Sequence, residues 1–392
     1  MKAPPDFESA RSIVYITRFV PVYRRAVLDR LNRRLGGRLV VACGQSPTRS
    51  SLRSITPTCA AAYKEVQLTN WWLGNETVHA QPYGRIFREC PAPSVVLAEE
   101  SPRSITLPFL LRHARRRGAK LLLWGHFSSN QRAFGSRHPL DRYRIRLAQS
   151  VEGCVCYTKS VKDLLQTFVP EDRLFVATNT VDTDTLDMLH QKLSEEGRKA
   201  VRRRLGLSRS EVAITFIGRL ETVKGTDQLL QTFYALRANR KATLFIIGAG
   251  PEEDSMRRYA KRHAVEDIRF LGAMPKSEDS APYLYASDVM LMPGFAGLAI
   301  NHSFALGLPV VTPRSPNSAF RYNAPEIAYL HDGQNGRLAR SGRVEDLIAA
   351  VEDVVADHKR YSLNALAYAR EHLTLRKMVD GLVEAIRFAE GC

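Results

Sequence analysis

The chain has 392 residues, 44% hydrophobic and 25% charged, a soluble-type composition on a length that exceeds one ordinary core and suggests two domains. No apolar run reaches bilayer-spanning length and the first residues lack a signal-like apolar core, so a cytoplasmic protein is expected. Charge is uneven: residues 1–180 hold 28 Lys and Arg against 13 Asp and Glu, the remainder 29 against 27.

In chain order, apolar runs at 12–16, 38–42, 94–98 and 120–124 read as strands, with amphipathic helices over 23–35 and 105–117 between them. Residues 44–90 are weakly patterned and read as irregular, and a basic, mobile stretch is expected to run to Pro139. A helix over 140–150, strands at 153–157 and 174–178 and a helix over 159–167 complete the first alternation. The charged segment 183–207 is poor in large apolar residues and reads as a helical linker. A second alternation follows, with strands at 213–217, 243–247, 268–271, 289–292 and 309–312. Its helices are expected over 226–238, 252–263, 280–286 and 298–306, and three more close the chain at 346–357, 362–372 and 375–389. Short strands alternating with helices argue for an α/β protein with two parallel, doubly wound sheets.

Basic residues cluster at 24–34, 112–117 and 132–146. Such a face suits an anionic membrane surface, an acidic glycan or a nucleic acid, and a merely solvated surface accounts for it as well. The cysteines Cys43, Cys59, Cys90, Cys154, Cys156 and Cys392 form no CxxC pair and no metal-like spacing, so reduced, apolar thiols are expected.

Chemistry concentrates at the ends of the later strands. Ile217-Gly218-Arg219 is followed by Lys224-Gly225, two cations on a loop just past a strand, where they can grip a diphosphate and stabilise its departure. Phe245-Ile-Ile-Gly248-Ala-Gly250-Pro251 and Phe270-Leu-Gly272-Ala-Met274-Pro275 are two further strand–glycine turns. Singly each is explained by close packing; together they point at one edge of one sheet. Pro293-Gly294-Phe295-Ala-Gly297-Leu298 runs from a buried strand into a helix, leaving unpaired backbone N–H groups that suit a phosphate. In the first half, Trp124-Gly-His126 ends a strand at the edge where open sheets place ligands.

This ordered series, completed by Ser287-Asp288, Ala305-Leu-Gly307-Leu-Pro-Val-Val311 and Ala324-Pro-Glu326, resembles the donor domain of family 4 retaining glycosyltransferases, which have the GT-B fold. The likeness is good over residues 140–390. Pro21-Val-Tyr23-Arg24, Glu99-Glu-Ser-Pro-Arg103 and Trp124-Gly-His126 look like motifs of its polysaccharide-assembly members.

The resemblance implies two Rossmann-like domains facing a cleft. Residues 1–182 would bind the acceptor, 183–207 link, 208–374 bind the nucleotide sugar, and 375–392 form a helix able to pack back on the first domain. It implies sugar transfer from a nucleoside diphosphate donor to a glycan or lipid-linked acceptor, with no metal and no cofactor. Arg219, Lys224 and His126 would be catalytic. Gly218, Gly248, Met274, Gly297, Leu298, His302 and Glu326 would line the donor pocket, Met274 by the base and Glu326 at the rear. The expected partners are the donor, the acceptor and an anionic membrane surface, with no nucleic acid; the protein would be cytoplasmic, peripheral on the inner face of the membrane.

One departure stands out. The family's usual pair of glutamates falls on Gly294 and His302. His302 can still hydrogen-bond a ribose hydroxyl, whereas Gly294 offers no side chain, leaving backbone, Asn301 or Phe295 to hold the sugar. Two other readings therefore stay open: a catalytically impaired binding protein and a sugar-nucleotide epimerase.

Overall fold

In a computed structural model, the described residues are 11–46, 61–74, 76–128, 134–135, 137–263, 267–314 and 323–392. They form two compact units, one of residues up to Ser128, Phe134–Val181 and Leu375–Cys392, the other containing Asp182–Thr374.

The first unit carries β1 (Ile13–Thr17), β2 (Leu39–Cys43), β3 (Lys64–Gln67), β4 (Trp71–Leu73), β5 (Val78–Ala80), β6 (Val95–Glu99), β7 (Lys120–Gly125), β8 (Gly153–Cys156) and β9 (Leu174–Val176). Seven of these make a parallel sheet in the order β3-β2-β1-β6-β7-β8-β9, and β4 and β5 form a separate antiparallel pair. Both faces are covered, so strand residues are buried irrespective of parity, and the runs read as continuous rather than alternating. Val14 and Ile16 join one core, with the helices Leu107–Arg116 and Pro139–Gln149. Ile13 and Tyr15 join the other, with the helices Arg25–Arg34 and Leu375–Gly391. The last helix lies so close to β9 that a Cβ on Gly381 would overlap the carbonyl of Val176.

The second unit carries β10 (Val212–Ile217), β11 (Ala242–Ile247), β12 (Ile268–Gly272), β13 (Val289–Leu291), β14 (Val310–Pro313) and β15 (Gly336–Ala339). They form one parallel sheet, ordered β12-β11-β10-β13-β14-β15. The two units are therefore each doubly wound and Rossmann-like, with the strand order reversing between β1 and β6 in one and between β10 and β13 in the other.

Two expectations need revision. Residues 61–90 are not simply irregular: they contain β3, β4, β5 and the helix Gly84–Glu89, elements too short and too exposed to leave a periodic signature. Residues 47–60 lie outside the described set, as do 129–133 and 136 of the expected mobile stretch. The segment expected as a linker is two helices, Thr183–Glu196 and Arg198–Arg204, built into the second unit. Arg198 and Arg202 pair with Asp288 at 2.7 and 3.2 Å, and the same carboxylate accepts the Ala213 N–H at 2.8 Å. Charges that read as those of a linker fix the start of β13.

Candidate functional site: the strand-order reversal of the second unit

The reversal point leaves a crevice at the carboxyl ends of β10 and β13, flanked by the loop 218–225 and the loop 292–298. The first loop is stitched sideways to its neighbours. Gly218 N–H donates to Ile247 O at 2.9 Å, Gly248 N–H to Gly272 O at 2.8 Å, and Leu220 N–H to Ala249 O at 3.1 Å. Gly248 has φ +149°, and a Cβ there would collide with the Gly218 carbonyl. Gly218, Gly248 and Gly272 thus form a backbone seam that fixes where Arg219 begins; this is loop against loop rather than strand against helix.

Arg219 pairs with Glu221 at 2.8 Å, both about one third exposed. Such a pair is worth at most about 1 kcal/mol, so the guanidinium can exchange this partner for an anionic ligand at little cost. Lys224 is more constrained. Its Nζ donates to Phe295 O at 2.7 Å and lies 5.1 Å from the Phe295 ring centroid. Burial lowers its pKa to about 8, opposed by the nearby carboxylates of Glu221 and Glu326. The arrangement is a desolvated cation held in place chiefly by a neutral carbonyl.

The opposing loop is pinned by Phe295 N–H to Val223 O at 2.9 Å and by Ala296 N–H to Asn323 Oδ1 at 3.0 Å. The N–H groups of Gly297 and Leu298 donate to no acceptor among the described residues. Glu326 is buried on the short 3-10 helix Pro325–Tyr329, its carboxylate 4.0 Å from where a Gly297 Cβ would stand. His302 sits on the helix Ala299–Ala305 with Nδ1 buried and without a partner among the described residues, and burial lowers its pKa to about 4. It is therefore a neutral imidazole at physiological pH, able to accept one hydrogen bond and donate another. Among the described residues no group of three or more His, Cys, Asp or Glu is placed to hold a metal ion.

In the first unit, His126 directly follows β7, half-buried and edge-on to the Tyr157 ring at 6.3 Å, with its Nδ1 accepting the Ser128 N–H at 3.4 Å. The next residue, Phe127, has φ +47° and is fully buried, an unusual conformation for a bulky side chain that turns the chain sharply behind the imidazole.

The profile of "Glycosyl transferases group 1" matches residues 211–357, most of the second unit including both loops of the crevice. Over these residues the chain is similar to the group 1 glycosyltransferases. Over 69% of its length the chain is 25% identical to the lipopolysaccharide core biosynthesis glycosyltransferase LpsE of Rhizobium meliloti, spanning 75% of that protein. It is 31% identical to a GDP-mannose-dependent phosphatidylinositol monomannoside mannosyltransferase of Mycolicibacterium smegmatis, but over 46% of the chain and 47% of that relative. Its fold is that of Anabaena HepE, solved with UDP, at a TM-score of 0.69 and 15% identity over 96% of this chain and 99% of that one. A Rickettsia africae glycosyltransferase gives a TM-score of 0.72 at 12% identity, over 97% and 99% of the two chains.

Within the second unit, Arg219, Lys224, Gly297, Leu298 and Glu326 gather at one crevice, and Gly218 and Gly248 frame its entrance loop. Met274 follows the edge strand β12, half-buried, and His126 belongs to the other unit. Asn301, weighed as a sugar contact, is fully buried and presents no surface to a ligand. Phe295, weighed for the sugar, holds Lys224 through its carbonyl and ring, and one participant went unread: Asn323, which holds Ala296. A second is the tie between Arg18 and Glu99 at the reversal point of the first unit, 3.0 Å from Arg18 Nε to Glu99 Oε1. This cation, with Thr17, holds the carboxyl at about 2 against the opposing effect of burial. Only the strand order reveals it, because Arg18 and Glu99 are 81 positions apart.

Proposed function

We propose that the protein transfers a sugar, with retention at the anomeric carbon, from a nucleoside diphosphate sugar to a glycan or lipid-linked acceptor in cell-surface polysaccharide assembly. The observation that carries this reading is the half-buried Lys224 cation beside the N–H groups of Gly297 and Leu298, which donate to no acceptor among the described residues, with Arg219 on the same loop. Positive charge and donors already in place are worth most where negative charge develops, here on a departing diphosphate, and no metal is required for that task. Lys224 and Arg219 would neutralise the leaving group, Gly297 and Leu298 would donate to it, and His302 would meet a ribose hydroxyl. Met274 is assigned to the base and Glu326 to the rear of the pocket; His126 is assigned to the acceptor side. The relatives named for lipopolysaccharide core and for a phosphatidylinositol mannoside support an acceptor that is a glycan or lipid-linked.

The test is a thermal-shift screen against UDP, GDP, ADP and their sugars, followed by NMR of the product formed from the stabilising donor. Stabilisation by one nucleotide class and a product keeping the donor's anomeric configuration are expected. No shift with any of them would remove the donor site. A shift without turnover would favour the second reading, a binding protein in which the bare Gly294 leaves the sugar unheld.

A further inference from the structure

β4 and β5 continue into a third strand-like rung: His79 bridges Ser104 in parallel, His79 N–H donates to Arg103 O and Ile105 N–H donates to His79 O, at 3.0 and 2.9 Å. Because side chains alternate along each strand, Trp72, His79 and Ser104 share the inner face of this ribbon. His79 and Ser104 there line a pocket with Thr17, Arg18 and Glu99, at the carboxyl ends of β1 and β6. Trp71, Leu73, Arg103 and Ile105 share the outer face. The helix Leu107–Arg116 follows directly and exposes Phe109, Arg112 and Arg116, spaced three and four apart and so aligned on one side. Trp71, Leu73, Ile105 and Phe109 are 57, 53, 46 and 61% exposed, four large apolar side chains in a neighbourhood where isolated ones need no explanation but a group does. The side chains of Arg103, Arg112 and Arg116 are exposed and make no hydrogen bond or ion pair among the described residues. Residues 71–80 and 103–117 hold five arginines and a single acidic residue, Glu76.

We propose that this outer face, the β4–β5 ribbon with the exposed side of the helix Leu107–Arg116, docks on an anionic lipid bilayer. The apolar side chains enter the headgroup boundary while Arg103, Arg112 and Arg116 pair with lipid phosphates. An acidic glycan or a nucleic acid would satisfy the arginines and leave Trp71, Leu73, Ile105 and Phe109 in water; an interfacial bilayer region satisfies both. The inner face of the same ribbon borders the first unit's crevice, so a bilayer seated outside would hold a membrane-borne acceptor one strand layer from it. The proposal rests on the reading that the protein works on lipid-linked or membrane-presented material.

The experiment is co-sedimentation of the full chain with vesicles of equal parts phosphatidylglycerol and phosphatidylcholine, and with pure phosphatidylcholine, at low and high salt. Wild type should bind only the anionic vesicles, with release by salt. The variant Arg103→Gln/Arg112→Gln/Arg116→Gln and the variant Trp71→Ser/Phe109→Ser should each weaken partitioning by about tenfold or more. Lys261→Gln/Arg262→Gln, on the second unit, should bind as wild type. Thermal melts of all variants identify any loss due to unfolding, and the two independent variant sets guard against it. Undiminished binding by both sets overturns this face while leaving membrane attachment standing. Failure of wild type to bind any vesicle overturns membrane attachment itself, and equal binding to neutral vesicles overturns the role of the arginines.

Discussion

Gly225 and Gly294 meet backbone to backbone: a Cβ on Gly225 would lie 2.8 Å from Gly294 N, and one on Gly294 would lie 2.6 Å from Gly225 N. Gly225 also has φ +70°, the left-handed conformation that ends the Lys224 turn. The two loops of the second unit's crevice therefore share a contact that only a pair of glycines permits. Gly294→Glu, which supplies the carboxylate usual in similar enzymes, is expected not to improve transfer. It should push residues 223–225 aside, destabilise the fold by about 2 kcal/mol or more, and lower activity further. Denaturant unfolding with donor-turnover assays checks this; a stable, more active variant would refute the geometric account.

Arg219→Ala and Lys224→Ala should each lower kcat about 10²–10³-fold and weaken nucleoside diphosphate binding, the range for removing one electrostatic donor from a prearranged site. The two should differ in salt sensitivity. Arg219, partly exposed and paired with Glu221, is the one whose contribution fades with ionic strength. Activity retained in both variants would end the assignment.

The pH dependence follows from Lys224. Its pKa is lowered from 10.5 to about 8, so the cation is present below that pH and lost as pH rises through it. Diphosphate affinity should fall above about pH 8, and binding should take up protons as the ligand's charge restores the lysine's. Calorimetry in buffers of different ionisation enthalpy reads that uptake directly. In the unliganded protein the sign reverses: the unfolded chain binds more protons between pH 8 and 10.5, so Lys224 makes the empty fold more stable as pH climbs through that window.

His302 should act without titrating in the working range, since its pKa is lowered to about 4. His302→Leu should raise the KM for donor about tenfold through loss of one hydrogen bond, and His302→Asn should recover part of it. Neither variant should move the alkaline limb set by Lys224. An unchanged KM in His302→Leu would place the imidazole outside the pocket.

Acid should weaken both units. His79 and His358 are each lowered from 6.5 to about 4 by burial. The unfolded chain therefore binds more protons than the folded one between those values, and stability falls as pH drops from 6.5 towards 4. Thermal melts across that range should show the decline, flattened in His79→Gln and His358→Gln.

The alternation of strands and helices was legible because it is written locally, in apolar runs and amphipathic spacing. Glycine turns at the strand ends marked the crevice for the same reason. What could not be read depends on distant partners. Arg198 and Arg202 looked like linker charges until Asp288 stood beside them. Gly294 looked like a lost glutamate until residues 223–225 filled the space where any side chain would go. Asn301 looked like a sugar contact because helical spacing alone does not say which face is sealed. β3 to β5 escaped because three- and four-residue strands carry too little pattern to rise above their surroundings.

The helix Leu375–Gly391 belongs to the first unit's core, although the whole second unit precedes it in the chain. On the ribosome, the face of the first sheet that includes Ile13 and Tyr15 has to wait, its apolar surface only partly covered by the helix Arg25–Arg34, until about two hundred further residues have been made and the second unit can already have folded. The half synthesised first is thus the half completed last, and its exposure to chaperones and proteases lasts as long as the translation of its neighbour.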